Sequence, residues 1–189
     1  MMLPSIEHRP SMHRAALVLL LVYGGLRVLF ELPARQLHLE ALNVLTAEWA
    51  LQWLVALGVP LVREGQILMH AQGFVTEVHQ TCTALIPCVL ITAAIALHPW
   101  AGLPARLAGV LVGVPLLVMV NQLRLVSVVW VGVCAPEYFA LVHGWAAPGA
   151  LIAFGFAYWW AWSHVVAPLR GRSASEPILP TGVERAGNK

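Results

Sequence analysis

The sequence predicts an all-α, multi-pass integral membrane protein. It reads as a bundle of about four to five transmembrane helices, with a short external hairpin before the helix that follows Cys82. Three observations carry that prediction. Of the 189 residues, 59% are apolar and only 11% charged, whereas a water-soluble domain is charged at about a quarter of its positions. Several apolar runs approach the roughly 20 helical residues that a hydrocarbon core demands. The arginines gather between and beyond those runs, as they do in loops on the cytoplasmic side of a membrane. The formal net charge of +2 is small and the arginines are scattered, which excludes the clustered basic face that nucleic-acid binding requires.

The elements follow in order. Residues 1–14, with Arg9 and Arg14, form a cytoplasmic N-terminus, and no small-residue cleavage pattern comes after them, so Ala15 to Leu32 is an uncleaved first span. The run Leu42 to Val62 is apolar but carries Glu48 and Gln52 at i, i+4 spacing, with Gly58 and Pro60 near its end. Periodicity alone leaves open whether it crosses the bilayer or lies along its surface. From Glu64 to Thr81, two short β-prone stretches around Gly65 and Gly73 read as a small hairpin or strand pair leading into Cys82, with an ordinary ordered loop as the alternative. Thr83 to His98, Leu107 to about Val133, and about Pro148 to Ala167 complete four strong runs. Residues 15–167 therefore make one membrane domain, and residues 168–189, rich in Ser, Pro, Gly and charge, a disordered cytoplasmic tail.

Charge sets the expected orientation. Arg9 and Arg14, Arg106 in the loop Pro99 to Arg106, and Arg170, Arg172 and Arg185 should all be cytoplasmic. Arg35 and Arg63 fall on the other side, weakening the bias without reversing it. Five crossings would separate the termini against this rule. Four crossings plus an interfacial or half-inserted helix over 42–62 on the outer side are therefore favoured. Cys82, His143 and the part of the third strong run that holds Arg124 then face outward.

A guanidinium within an apolar span is disfavoured by several kcal/mol unless it faces a bundle interior or a wet cavity. At about 1.5 Å per residue, Cys82 lies roughly 24 Å from the inner boundary counted from His98, and Arg124 roughly 25 Å counted from Leu107. His143 precedes the last run by a stretch containing Gly144, Pro148 and Gly149, which lets it fold back toward that depth. The three side chains suit one chemistry. A thiol attacks as thiolate and is activated by a nearby cation or helix N-terminus, which makes Cys82 a candidate nucleophile, although a cysteine taken alone is more often a small buried apolar residue. Imidazole is the usual acid and base for such attack, a role to which His143 is suited, although such a histidine alone is more often an interfacial residue. Arginine keeps its proton, so the role open to Arg124 is to stabilise an oxyanion or transition state or to hold a substrate carbonyl. Asn121, three residues earlier on the same helical face, orients the guanidinium or binds substrate.

Other groups compete. Arg124 has rival structural partners in Glu137 and Glu48. Arg27 has Glu31 at i, i+4, and His79 is a second candidate base. His98 and His164 lie at the cytoplasmic ends, too far away. Three cysteines, Cys82, Cys88 and Cys134, exclude a complete disulfide set, and Cys82 and Cys88, six apart on one expected helix, point to different faces. The tryptophans near the span ends read as an interfacial belt.

The blocks His79-Gln80-Thr81-Cys82-Thr83-Ala84-Leu85, Asn121-Gln122-Leu123-Arg124, and His143 ahead of the last run resemble those of the exosortase and archaeosortase family. The approach Leu57-Gly58-Val59-Pro60, through Arg63-Glu64-Gly65 and Ile67 to Thr76-Glu77-Val78, is similar as well, so the resemblance spans most of Leu42 to Trp160. It implies a compact membrane cysteine transpeptidase or protease that acts on envelope proteins with a C-terminal sorting signal: a short motif, a transmembrane helix and an Arg-rich tail. It also implies catalytic roles for Cys82, Arg124 and His143. Ala84 stands where the commoner block has Gly, which leaves the substrate motif open. The implied setting is a prokaryotic inner membrane, with the site on its outer side. The expected partners are the lipid bilayer and membrane-anchored protein substrates; neither a cofactor nor a metal is expected. Two readings from other classes stand beside this one. The first is a small transporter using Arg124 and Asn121 as an anion or proton pathway, opposed by the lack of an inverted repeat. The second is a soft-metal site or thiol oxidase built on Cys82, His79 and Cys134, opposed by the lack of paired ligand spacing.

Overall fold

A computed structural model describes residues 12–31, 33–99 and 101–173. Two helices open the chain, α1 (Met12–Glu31) and α2 (Pro33–Ala56), followed by three short strands, β1 (Leu61–Glu64), β2 (Ile67–His70) and β3 (Val75–Glu77). A 3-10 turn, Gln80–Cys82, leads into α3 (Leu85–Ala96), and the long α4 (Leu103–Cys134) returns. The last stretch passes through a 3-10 turn (Pro136–Tyr138), the short α5 (Phe139–Leu141) and a π-helical turn (Val142–Ala146) into α6 (Ala147–Ser173). The expected N-terminal segment falls mostly outside the described residues, as do positions 174–189 of the expected tail. The helix itself continues to Ser173.

Among the described residues, two helical stretches are long and apolar enough to cross a membrane, Leu103–Cys134 and Pro136–Val166. Their most apolar windows are only 17% and 6% buried within the protein, so they are not the core helices of a soluble domain. Leu111 and Ile152 are each 73% exposed, and burying such surface in lipid is the physical reason for their presence. At 32 residues, α4 is about 48 Å long and exceeds the hydrocarbon thickness.

Three boundaries differ from the sequence reading. The run Leu42 to Val62 is not one helix: α2 begins at Pro33, stops at Ala56, and Leu61–Glu64 is a strand. The stop has a local cause. Gly58 takes φ +82°, its N–H bonds Val55 O at 3.0 Å, and the Val59 N–H bonds Leu54 O at 2.9 Å. This is a Schellman cap, sealed by apolar contact between its ends; Leu54 and Val59 share one core, and Pro60 prevents resumption. The run after Cys82 is helical only over the 12 residues of α3, too short to span alone. The last helix starts earlier than Pro148, because the chain is helical from Pro136 onward.

The expected hairpin is present, enlarged by β1 to a three-stranded antiparallel meander in the order β1-β2-β3. Arg63 pairs with Leu68 and Leu68 with Thr76, so Leu61, Leu68 and Val78 bury against α2 and the C-terminal part of α4. On this core sit Ala47, Ala50, Leu54, Leu125, Val126 and Val129. A second core joins Ile91 and Ile95 of α3 with Leu117 and Leu151, flanked by Tyr158, Trp159 and Trp162. The bundle thus has a sheet end and a His98 end, both threaded by α4.

Candidate functional site

Asn121 lies where the two cores meet, one helical turn from Leu117 of one and Leu125 of the other. It is 1% exposed, and a buried amide requires partners. Its Nδ2 donates to the main-chain carbonyl of Cys82 at 2.8 Å, and its Oδ1 accepts from Arg124 Nη1 at 3.4 Å. One side chain therefore ties the Cys82 turn to α4 and touches the guanidinium.

The Cys82 turn is held from both sides. The Cys82 N–H donates to His79 O at 2.8 Å, and the Thr83 hydroxyl donates to Gln80 O at 2.7 Å. The Cys82 side chain is half-buried against the sheet-end core. Ala84 caps α3 without any side-chain hydrogen bond, so no capping oxygen offsets the partial positive charge of that helix N-terminus. All three described cysteines are free.

Arg124 is half-buried, and its Nε is buried without a partner. Among the described residues no carboxylate pairs with it. Of its two rivals, Glu48 is engaged by Arg63, whose Nε lies 2.7 Å from Glu48 Oε2, and Glu137 forms no ion pair among the described residues. An orphaned buried N–H is costly and marks a place where another acceptor belongs.

His143 stands on the π-helical turn, a distortion found often at functional sites. Its ring is exposed and stacks on Phe139, with centroids 5.2 Å apart and planes 18° from parallel. The stagger between α4 and the final helix fixes its level. A Cβ on Gly109 would meet Trp162, one on Gly113 would meet Tyr158, and Gly155 lies against Leu117. Continuing that antiparallel register puts His143 near the level of Val128, about one turn beyond Arg124. The structure joins Cys82, Asn121 and Arg124 by hydrogen bonds. It sets His143 toward the same end, with no hydrogen bond to any of them among the described residues.

His79 Nε2 lies 3.3 Å from Glu77 Oε2. Glu77 also accepts from Gln66 Nε2, and Gln66 Oε1 accepts from Asn43 Nδ2 at 3.1 Å. The described side chains do not include Arg27 and Glu31, so the pair expected there lies outside them. His98 is buried at the opposite end, edge-on to Trp162 at 5.2 Å. Burial first, and the Arg106 charge second, push its pKa below the ordinary 6.5. Among the described residues no three metal-ligating side chains gather.

Three residues that the sequence reading did not single out form a line of contacts that ends at His143. Phe139 stacks on it, Phe74 meets Phe139 edge-on at 5.7 Å, and Gly132 makes room for Phe74, whose ring would stand 2.2 Å from a Cβ there. The i, i+4 spacing of Phe139 and His143 was a signal for the first contact. Nothing local announced the other two.

Together these features define a helical membrane protein with a thiol, an amide and an unpaired guanidinium gathered beside a small sheet. A family model described as transmembrane exosortase matches residues 10–162, and the chain belongs to that family, one of membrane cysteine transpeptidases. Comparison with curated proteins found no match. Comparison with solved structures found none either.

Proposed function

We propose that this protein is a membrane-embedded cysteine transpeptidase or protease that cleaves and sorts envelope proteins carrying a C-terminal signal of motif, transmembrane helix and Arg-rich tail. The observation that carries the reading is the link from Cys82 through Asn121 to an Arg124 that has no carboxylate partner among the described residues. A guanidinium held beside a cysteine and left unpaired is suited to charge that appears only during reaction.

The chemistry follows from those groups. His143 takes the Cys82 proton, and the thiolate Sγ attacks the scissile carbonyl carbon. The carbonyl electron pair moves to oxygen, and Arg124 donates to that oxyanion. Collapse breaks the C–N bond, His143 returns the proton to the leaving amine, and a thioester to Cys82 remains. An acceptor amine or water then attacks the thioester, giving its proton to His143, and the thiolate leaves. Asn121 keeps the nucleophile turn and the guanidinium in register. The protein crosses a prokaryotic inner membrane about four to five times, with Cys82 on the outer side, as the arginine distribution supports.

The test is made in the native host. Replacing the gene by Cys82→Ala should cause membrane proteins that end in an apolar helix and arginines to accumulate with their C-terminal peptides intact, read by mass spectrometry. Normal loss of those peptides in the Cys82→Ala strain overturns the proposal.

A further inference from the structure

A histidine acting on a thiol must keep its ring in one orientation, yet His143 is an exposed residue with no hydrogen-bonded carboxylate or carbonyl among the described residues to hold it. The usual device for orienting a catalytic imidazole is a hydrogen bond to its second nitrogen. Here the described contact of the ring is a face. Phe139 lies beneath it at 5.2 Å and 18°, close to the offset-stacked geometry that aromatic pairs prefer.

Phe139 is itself held. Phe74 presses against it at 5.7 Å with the planes 75° apart, the edge-to-face arrangement. Phe74 in turn occupies the notch over Gly132, where any Cβ would overlap its ring. The same Phe74 packs on the core that supports Cys82. A continuous set of contacts therefore runs from the nucleophile's core through Phe74 and Phe139 to the base.

We propose that Phe139, seated by Phe74 in the Gly132 notch, is the positioning residue that orients the His143 ring toward Cys82. The proposal rests on the reading of His143 as the base for Cys82. The sheet thereby has a role in the reaction. The turn that carries Phe74 joins β2 to β3, the strand just before Cys82, so one small structure braces both the nucleophile and its base. Loss of the Phe139 ring releases the imidazole to several rotamers, and only a fraction of molecules then present it correctly, an orientational loss.

The experiment uses the full-length protein in detergent and reads the rate at which iodoacetamide labels the Cys82 peptide at neutral pH, by mass spectrometry. The Cys88 and Cys134 peptides serve as controls for fold. Because thiolate is the reacting form, His143→Gln should slow Cys82 labelling by about ten-fold. Phe139→Leu should slow it by about three-fold or more, and Phe139→Tyr, which keeps the ring face, should restore the wild-type rate. Phe74→Leu provides a second route to the same loss should Phe139→Leu fail to fold. A wild-type rate in Phe139→Leu or Phe74→Leu, with His143→Gln slow, overturns the positioning role alone. A wild-type rate in His143→Gln overturns the pairing of His143 with Cys82, and the positioning role with it.

Discussion

The side-chain amide of Asn121 reaches across 39 positions of sequence to hydrogen-bond the main-chain carbonyl of Cys82 at 2.8 Å. That bond fixes the level of the Cys82 turn against α4. Because Asn121 Oδ1 also faces Arg124 Nη1, the Cys82 turn and Arg124 share one tie point, and the first expectation follows from its two ends. Asn121→Ala should lower stability by about 1–2 kcal/mol and reduce processing. Asn121→Asp keeps an acceptor for Arg124 but turns an oxygen toward the Cys82 carbonyl, so it should process no better than Asn121→Ala. Thermal unfolding in detergent and in-cell processing measure the two effects; wild-type processing in Asn121→Asp would show that the donor to Cys82 is dispensable.

Arg124 separates stability from activity. A half-buried guanidinium with a buried, orphaned Nε adds little to folding, because the unmade hydrogen bond offsets the one it makes. Arg124→Met relieves the orphaned Nε but leaves Asn121 Oδ1 without its donor, so it should change stability by no more than about 1–2 kcal/mol, while processing falls by about 100-fold or more. A sharp drop in the unfolding midpoint would instead mean that Arg124 is a structural residue.

The α4–α6 contact makes a contrast among glycines. A Cβ on Gly113 would come within 2.4 Å of Tyr158 Cε1, whereas one on Gly155 meets nothing nearer than Leu117 at 3.8 Å. Gly113→Ala should cost about 1–3 kcal/mol by overpacking, and it should also disturb the Tyr158 hydroxyl that donates to Gly109 O at 2.6 Å. Gly155→Ala should be tolerated. Equal unfolding midpoints for the two variants would rule out the close helix approach.

Stability should fall on the acid side because of His98. Its pKa lies below 6.5 in the folded protein, held down by burial and then by Arg106. The unfolded chain therefore binds a proton at His98 more readily than the folded one, and stability rises with pH across that window. The His98 contribution is fully present above about pH 6.5 and is lost as pH drops toward the folded value. His98→Phe, which preserves an aromatic ring against Trp159 and Trp162, should flatten this part of the stability–pH curve. An unchanged slope in the variant would mean that other groups set it.

The membrane class was legible in the residues because transfer into lipid is a sum of local terms: composition and run length decide it with no knowledge of contacts. The short strands around Gly65 and Gly73 were legible as one of two readings, because β-prone runs and turn residues lie within a few positions of each other but an ordered loop fits the same residues; the folded chain decided for strands. The end of α2 was partly legible, since Gly58 and Pro60 were visible. Only the folded chain revealed that the cap closes at Ala56 and gives Leu61–Glu64 to the sheet.

By itself the sequence determined that this is a helical membrane protein, and it nominated Cys82, Asn121, Arg124 and His143 as the residues with chemistry to offer. The tertiary structure decided who partners whom. Glu48 goes to Arg63 rather than Arg124, Asn121 goes to a backbone carbonyl as well as to the guanidinium, and His143 rests on a phenylalanine whose own support comes from Phe74, a residue of the sheet region. Insertion into lipid depends on each residue's own surface, but a buried polar group must find its partner in space. That choice is made by the packing of elements distant in the chain, which periodicity and spacing do not encode.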